Sequence, residues 1–239
     1  LKTAPYHAVN THQDLAEGID RLGLPGILKT RRFGYDGKGQ VRLSTAEDKA
    51  QAIADMAGQP ALLEGFISFS KEISIIGARN SAGDVACFDP GENIHRAGIL
   101  RTTTVPAQIN ATQRMDAVLL TAKILNELDY VGVIGVELFV TVEGLIVNEI
   151  APRVHNSGHW TQNACAVDQF EQHIRAIANW PLADGSRHSD VIMTNLIGED
   201  LDTLENLSSQ ADTALHLYGK ADIKPGRKMG HYNSVRPKS

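Results

Sequence analysis

The sequence predicts an α+β fold. Helical apolar stripes and short strand runs mix without a regular strand–helix–strand alternation. The strand runs follow one another across Gly- and Asn-bearing turns, the pattern of antiparallel hairpins. The chain shows neither an internal repeat nor a low-complexity stretch.

Taken in order, Thr11-His12-Gln13-Asp14 reads as a helix start, with Thr11 as N-cap and an acid three residues on. Gly23 closes that helix after Leu15, Ile19 and Leu22. Residues 26–30 read as a short strand delivering Lys29. Ser44-Thr45-Ala46-Glu47 reads as a capping box that opens a helix running to Ala57. Residues 1–60 thus form a small unit and 61–239 a larger one. In the larger unit, strands are expected at 61–66 and at 71–79, the second continuing through a turn at 80–83 into 84–88, as an antiparallel meander. Residues 112–128 form an amphipathic helix with Met115, Val118, Leu119, Ala122 and Leu125 on one stripe. Strands at 131–140 and 145–150 join at Glu143-Gly144. A helix at 166–178 and strands at 191–196 and 214–218 complete the reading.

Composition excludes several classes of function. The chain has 239 residues, 42% hydrophobic and 21% charged, which suits one or two ordinary globular domains. A formal charge of −5 argues against nonspecific nucleic-acid binding. No apolar run is long enough for a membrane span, and the first residues lack a signal-peptide core. Cys87 and Cys165 lack metal or redox spacing and read as reduced thiols of a cytoplasmic protein. The chain begins without methionine inside a polar segment, so it reads as a fragment.

Two carboxylates carry the chemistry. Glu137 lies within the apolar run 133–140 and Glu149 within 145–150, where an uncompensated charge is costly. If Val142, Glu143 and Gly144 form a three-residue loop, Thr141 pairs with Leu145 and Glu137 falls opposite Glu149. A two-residue loop at Glu143-Gly144 places them on opposite faces. Facing carboxylates repel, and a Mg²⁺ ion between them, bridging to phosphates, resolves the repulsion. The competing reading pairs each with an arginine such as Arg153.

A glycine-rich segment, Arg31-Arg32-Phe33-Gly34-Tyr35-Asp36-Gly37-Lys38-Gly39-Gln40, offers backbone amides and cations to phosphates. It fits neither a Walker A loop nor the dinucleotide fingerprint, and a plain surface hairpin is the alternative. The backbone at Glu64, Gly65, Phe66 and Ile67 could hydrogen-bond an adenine edge and Glu72 could accept from ribose hydroxyls, although solvated strand-end glutamates are the favoured reading of these residues by themselves. Polar residues 153–161 follow the Glu149 strand directly. Zinc chemistry is disfavoured there because His155 and His159 bracket Gly158 and lack the HExxH glutamate. Lys224, Arg227 and Lys228 gather around a second turn, which reads equally as a solvated basic turn.

Together the segments 28–31, 34–40, 93–101, 148–161 and 225–231 resemble the ATP-grasp carboxylate–amine ligases. Among these they are most similar to the 5-(carboxyamino)imidazole ribonucleotide synthases of purine biosynthesis. The run from Asn148 to Thr161 carries the resemblance most specifically. It implies two α/β subdomains with antiparallel sheets clamping ATP, residues 1–60 being the lid. Lys29, Gly34, Tyr35, Asp36, Gly37, Lys38, Gly39 and Gln40 would then hold phosphates, with Glu64, Gly65, Phe66, Ile67, Glu72, His95, Asn148 and Glu149 completing the ATP site. Glu137 and Glu149 would hold Mg²⁺. Arg153, His155 and Asn156 would be catalytic, and Arg153, Lys224, Arg227 and Lys228 would bind bicarbonate, carboxyphosphate and the ribonucleotide phosphate.

The implied reaction carboxylates aminoimidazole ribonucleotide through carboxyphosphate, in a homodimer that passes its product to a mutase. The resemblance implies an N-terminal Rossmann-like domain that this chain is expected to lack, and residues 232–239 are expected to depart from the family's closing segment. Weak or no activity of the chain alone is therefore expected. A non-catalytic nucleotide-binding remnant, or another ATP-grasp ligase, remains the alternative.

Overall fold

A computed structural model describes residues 1–32, 39–55 and 59–239. Contacts divide it into two units, and each is described by itself: Lys2–Phe69 with Ala97–Ile99, and Leu1 with Ser70–Arg96 and Leu100–Ser239.

The smaller unit holds β1 (Tyr6–Val9), α1 (His12–Leu22), β2 (Gly26–Thr30), β3 (Gln40–Leu43), α2 (Lys49–Asp55) and β4 (Ala61–Gly65). Its strands form an antiparallel sheet in the order β1-β4-β2-β3. The Thr11 side chain accepts from the Asp14 amide, while the Asp14 carboxylate accepts from the Asn10 and Thr11 amides. Gly23, at φ 77°, ends α1 in a conformation that a side chain would strain. Leu15 and Ile19 of α1 pack with Val9, Leu28, Leu43 and Leu63.

Two expectations are corrected in this unit. The second helix is capped one residue later than its sequence suggests. The Asp48 carboxylate, not Glu47, accepts the Ser44 and Thr45 amides, and a 3₁₀ turn (Ala46–Asp48) precedes α2. The strand at 61–66 does not join a meander, because β4 pairs with β1 and β2. The continuous stretch of the smaller unit runs from Lys2 to Phe69. The expected helix end at Ala57 lies outside the described residues.

The larger unit contains β5 (Lys71–Arg79), β6 (Val85–Cys87), β7 (Gly91–Arg96), β8 (Ile99–Val105), α3 (Ala111–Glu127), β9 (Gly132–Thr141) and β10 (Gly144–Ala151). After these come α4 (Thr161–Ala164), α5 (Gln169–Ile177), β11 (Ser189–Ile197), α6 (Leu204–Ser208), β12 (Thr213–Leu217) and β13 (Lys228–Pro237). Its nine-stranded sheet runs β10-β9-β5-β7-β8-β11-β13-β12, with β6 on β5. Alternation along the strands gives it two apolar faces. Ile134, Val136, Leu138 and Val140 of β9 meet Ala117, Ile124 and Leu125 of α3. On the other face Ile76, Val133 and Met193 pack with Phe88 and Trp160.

The buried stripe of α3 differs from the expected one. Ala117, Thr121, Ile124 and Leu125 face the sheet, whereas Met115 and Leu119 are each 58% exposed. The helix lies so close to Gly77 that a Cβ there would stand 2.7 Å from Thr121 Cγ2, so small side chains take the contact line. Strand β13 was hidden in the sequence because its buried positions include the polar His231 and Asn233.

Candidate functional site

The centre of the larger unit's polar row is Glu137. In β9 it lies opposite Ser74 of β5 on one side and Glu149 of β10 on the other. The hairpin reaches this pairing by a route that neither proposed loop describes. Thr141 pairs with Gly144, not Leu145, leaving Val142 and Glu143 as a two-residue connection. The register then shifts between Val147 and Glu149. Asn148 is the extra residue of a bulge, so two consecutive residues, Asn148 and Glu149, oppose the one Glu137.

Burial separates the two carboxylates. Glu149 is exposed on the edge strand, so the expectation that both are buried is corrected. Glu137 is mostly buried, and burial pushes its pKa up to about 7. The charge of His95 opposes that rise, while Glu149 and Glu72 add to it. Among the described residues no ion pair joins Arg153 to either carboxylate; its Nη1 donates to the Val154 carbonyl at 2.9 Å. No group of three or more His, Cys, Asp or Glu gathers as a metal site among the described residues. A facing pair of carboxylates with a surplus of negative charge suits Mg²⁺, which commonly takes one or two protein carboxylates and fills its shell with water and phosphate oxygens.

His95 of β7 donates from Nδ1 to Glu72 Oε2 at 2.6 Å. Burial alone would lower the His95 pKa; the hydrogen bond and charge of Glu72, with that of Glu137, carry it above its ordinary value. Between these groups, Asn93 accepts from Thr103 Oγ1 at 2.8 Å and from Ser74 Oγ at 3.4 Å.

His155 approaches Glu137 from the loop after β10, with Nε2 at 3.8 Å from Oε1. Gly135 makes room, since a Cβ there would stand 2.7 Å from His155 Cβ. The Ser157 amide and hydroxyl both meet His155 Nδ1. An amide only donates, so Nδ1 accepts and the ring proton sits on Nε2, facing Glu137. Burial, then the charges of Arg153, Lys228 and other cations, pushes the His155 pKa down to about 3. His155 is therefore a neutral N–H donor, not an acid or base, at neutral pH. Asn156 exchanges amide hydrogen bonds with the fully buried Asn195, which also donates to the Leu100 carbonyl. Asn195 escaped the sequence reading because nothing in its local sequence marks it. Lys228 opens β13, and its charge is felt at Glu137, His95, His155 and His159. Lys224 and Arg227 sit beside Asp222 on the preceding turn, at 3.9 and 4.0 Å.

In the smaller unit Lys29 Nζ meets Glu64 Oε2 at 2.6 Å, and Gln40 lies opposite Lys29. Gly39 accepts from the Thr30 amide at 2.7 Å, so the glycine-rich segment connects β2 to β3. Gly34, Tyr35, Asp36, Gly37 and Lys38 lie outside the described residues. The Gly65 and Phe66 amides already donate to Pro5 and Pro25 carbonyls, and the Phe66 ring lies under the Arg42 guanidinium at 4.8 Å. Ile67 is half-buried.

Antiparallel sheets in two units, with a paired-carboxylate hairpin and a basic turn, define the ATP-grasp class. The sequence matches the ATP-grasp domain over residues 1–170 and the phosphoribosylaminoimidazole carboxylase C-terminal domain over 191–239. The second match overturns the expectation that residues 232–239 depart from the family. A relative from Brucella melitensis, an N5-carboxyaminoimidazole ribonucleotide synthase, is 49% identical over 100% of this chain and 67% of its own. An N5-carboxyaminoimidazole ribonucleotide synthetase solved as an ADP complex is 41% identical, with a TM-score of 0.94 over 99% of this chain and 63% of that one. The Aspergillus clavatus synthase, solved with ADP and 5-aminoimidazole ribonucleotide, is 30% identical, with a TM-score of 0.93 over 100% of this chain and 65% of that one. The chain belongs to the N5-carboxyaminoimidazole ribonucleotide synthase family. It spans about two thirds of the length of these relatives.

Proposed function

We propose that this chain provides the ATP site and carboxylating centre of an ATP- and bicarbonate-dependent ligase acting on aminoimidazole ribonucleotide. The observation that carries this reading is the Glu137–Glu149 pair, with the neutral His155 N–H beside it. In this reading Glu137 and Glu149 hold Mg²⁺, which neutralises charge between the ATP phosphates when bound. Lys29 and residues 34–40 serve the phosphates, residues 64–67 the adenine, and Glu72 and His95 the ribose side. Asn148 joins Glu149 in the nucleotide site.

A bicarbonate oxygen bonds to the γ-phosphorus as the bond to the bridging oxygen of ADP breaks, giving carboxyphosphate. The substrate's amine nitrogen then bonds to the carboxyl carbon, phosphate leaves, and the nitrogen loses a proton. His155 donates from Nε2 to an oxygen of the developing anion, and its low pKa keeps it a donor throughout. Arg153 and Lys228 supply positive charge; Lys224 and Arg227 bind the ribonucleotide phosphate. Asn156 retains one N–H and one lone pair for a ligand after pairing with Asn195. A cytoplasmic location, a homodimer and transfer of the product to a mutase belong to the same reading.

The test is bicarbonate-dependent release of ADP in the presence of aminoimidazole ribonucleotide. It is run on the chain alone and with the relatives' remaining third supplied in trans. Release that requires both bicarbonate and the ribonucleotide supports the proposal. Mg²⁺–ATP binding without release in either format would leave a nucleotide-binding module and overturn it.

A further inference from the structure

Gln169 is fully buried at the first position of α5, where a polar side chain must be completely bonded. Its Oε1 accepts the His155 amide at 2.9 Å, and its Nε2 donates to the His155 carbonyl at 2.9 Å. One side chain thus grips both backbone groups of one residue. A backbone amide only donates and a carbonyl only accepts, so the orientation of the Gln169 amide is fixed. Nε2 also meets His159 Nδ1 at 2.9 Å, and that nitrogen must therefore accept. The His159 proton sits on Nε2, and a proton on Nδ1 would confront the Gln169 N–H.

The surroundings enforce this geometry. The Gln169 backbone N–H donates to Thr161 Oγ1, which donates to the Gly158 carbonyl. A Cβ at Gly158 would stand 2.6 Å from Gln169 Oε1, so the loop must be bare where Gln169 enters it. The His159 ring stacks between Phe170 at 5.6 Å and His231 at 4.8 Å, and His216 continues the column 4.5 Å beyond His231. Tyr218 meets His159 edge-on at 6.2 Å. Burial pushes the His159 pKa down to about 4, and the charges of His216, Lys228 and Arg153 act in the same direction.

We propose that Gln169 is the positioning residue of the carboxylating centre: it fixes the His155 backbone so that Nε2–H faces Glu137, and it locks this grip to the neutral form of His159. This rests on the reading of His155 as the donor to the reacting anion. Gln169 touches neither nucleotide nor substrate in that reading; it acts through His155.

Two variants of the full 239-residue chain test it. Gln169→Glu keeps the shape but replaces the Nε2 donor with an acceptor, whereas Gln169→Leu removes the grip without adding charge. Nitrogen-resolved NMR of the imidazoles is expected to find His155 and His159 of the parent protonated on Nε2 at pH 7. In Gln169→Glu, His159 should gain a proton on Nδ1 and titrate above pH 6; in Gln169→Leu it should not. Both variants should lose bicarbonate-dependent ADP release by roughly tenfold to a hundredfold while ATP affinity stays within about threefold, the split expected of misplacement without loss of binding. A Gln169→Glu variant whose His159 titrates as in the parent would overturn the inference. So would variants whose ATP affinity falls in step with release, since that is loss of fold rather than of position. If the parent releases no ADP even with the relatives' remaining third supplied in trans, the functional reading fails, while the His159 titration still decides whether Gln169 sets its protonation.

Discussion

Glu137 and Glu149 stand opposite each other across the β9–β10 ladder because Asn148 is bulged out of it. Continued from the turn without that bulge, the register would set Asn148 opposite Glu137 and turn Glu149 to the face covered by α3. A one-residue slip moves a side chain across the sheet. The bulge therefore decides whether there is a paired-carboxylate site at all.

Glu137→Gln should have opposite effects on stability and on ligand binding. Removing a buried carboxylate that faces another should stabilise the metal-free chain at pH 8 by roughly 1–3 kcal/mol. The same change should weaken Mg²⁺–ATP binding. Thermal unfolding in chelator and in Mg²⁺–ATP reads both; a lower melting temperature in chelator would refute the account of Glu137 as a charge awaiting a cation. Glu149→Gln, at an exposed position, should weaken binding with little change in chelator.

Lys29→Ala separates the ion pair from the nucleotide. Lys29 and Glu64 are both partly exposed, so losing their 2.6 Å contact should cost no more than about 1 kcal/mol of stability. ATP affinity, measured by titration calorimetry, should fall by about tenfold, in keeping with a charge-assisted contact to phosphate of roughly 1.5 kcal/mol. Unchanged affinity would remove Lys29 from the phosphate site.

The histidine column should make the larger unit acid-labile. The folded-state pKa values of His159 and His231 are depressed by burial to about 4 and about 3. Their stabilisation is therefore fully present above the unfolded value near 6.5 and is lost as pH falls from there toward 4 and 3. The slope is up to about 1.4 kcal/mol per histidine per pH unit. Glu137, raised to about 7, acts the other way, losing stability as pH rises from its unfolded value. Urea midpoints at pH 7 and pH 5 should converge in His231→Phe, which keeps a ring in the stack and removes one titration; an undiminished slope would refute the assignment.

Arg187→Ala should destabilise without touching nucleotide binding. Arg187 is 8% exposed and pairs with Asp89 and with Asp190, the latter at 2.9 Å. Removing it takes the partner from two carboxylates that reach solvent, at a cost of about 1–3 kcal/mol. Chemical denaturation checks the loss, and ATP affinity below the melting range should match the parent's.

Much of this protein was legible in the order of its residues. Thr11 and Asp14 cap α1 because capping chemistry is local, and Gly23 ends it for the same reason. The run 71–79 is β5 at its expected ends, since apolar residues bounded by a polar turn leave little choice. Glu137 stood out because a charge in an apolar strand is costly wherever that strand folds. The resemblance carried by residues 148–161 led to the family.

Other features existed only once the chain was folded. The sequence allowed two loops for the β9–β10 hairpin, and the structure uses neither; a bulge is decided by the ladder on both sides of it, not by the turn. Met115 and Leu119 belong to an apolar stripe, yet the approach of α3 to Gly77 turns them outward. His231 and Asn233 hid β13 because polar residues are buried when partners from distant segments supply their hydrogen bonds. Gln169 and Asn195 look ordinary in sequence for that reason too. Their meaning comes from His155 and Asn156, 14 and 39 residues away, and only tertiary packing brings those partners together.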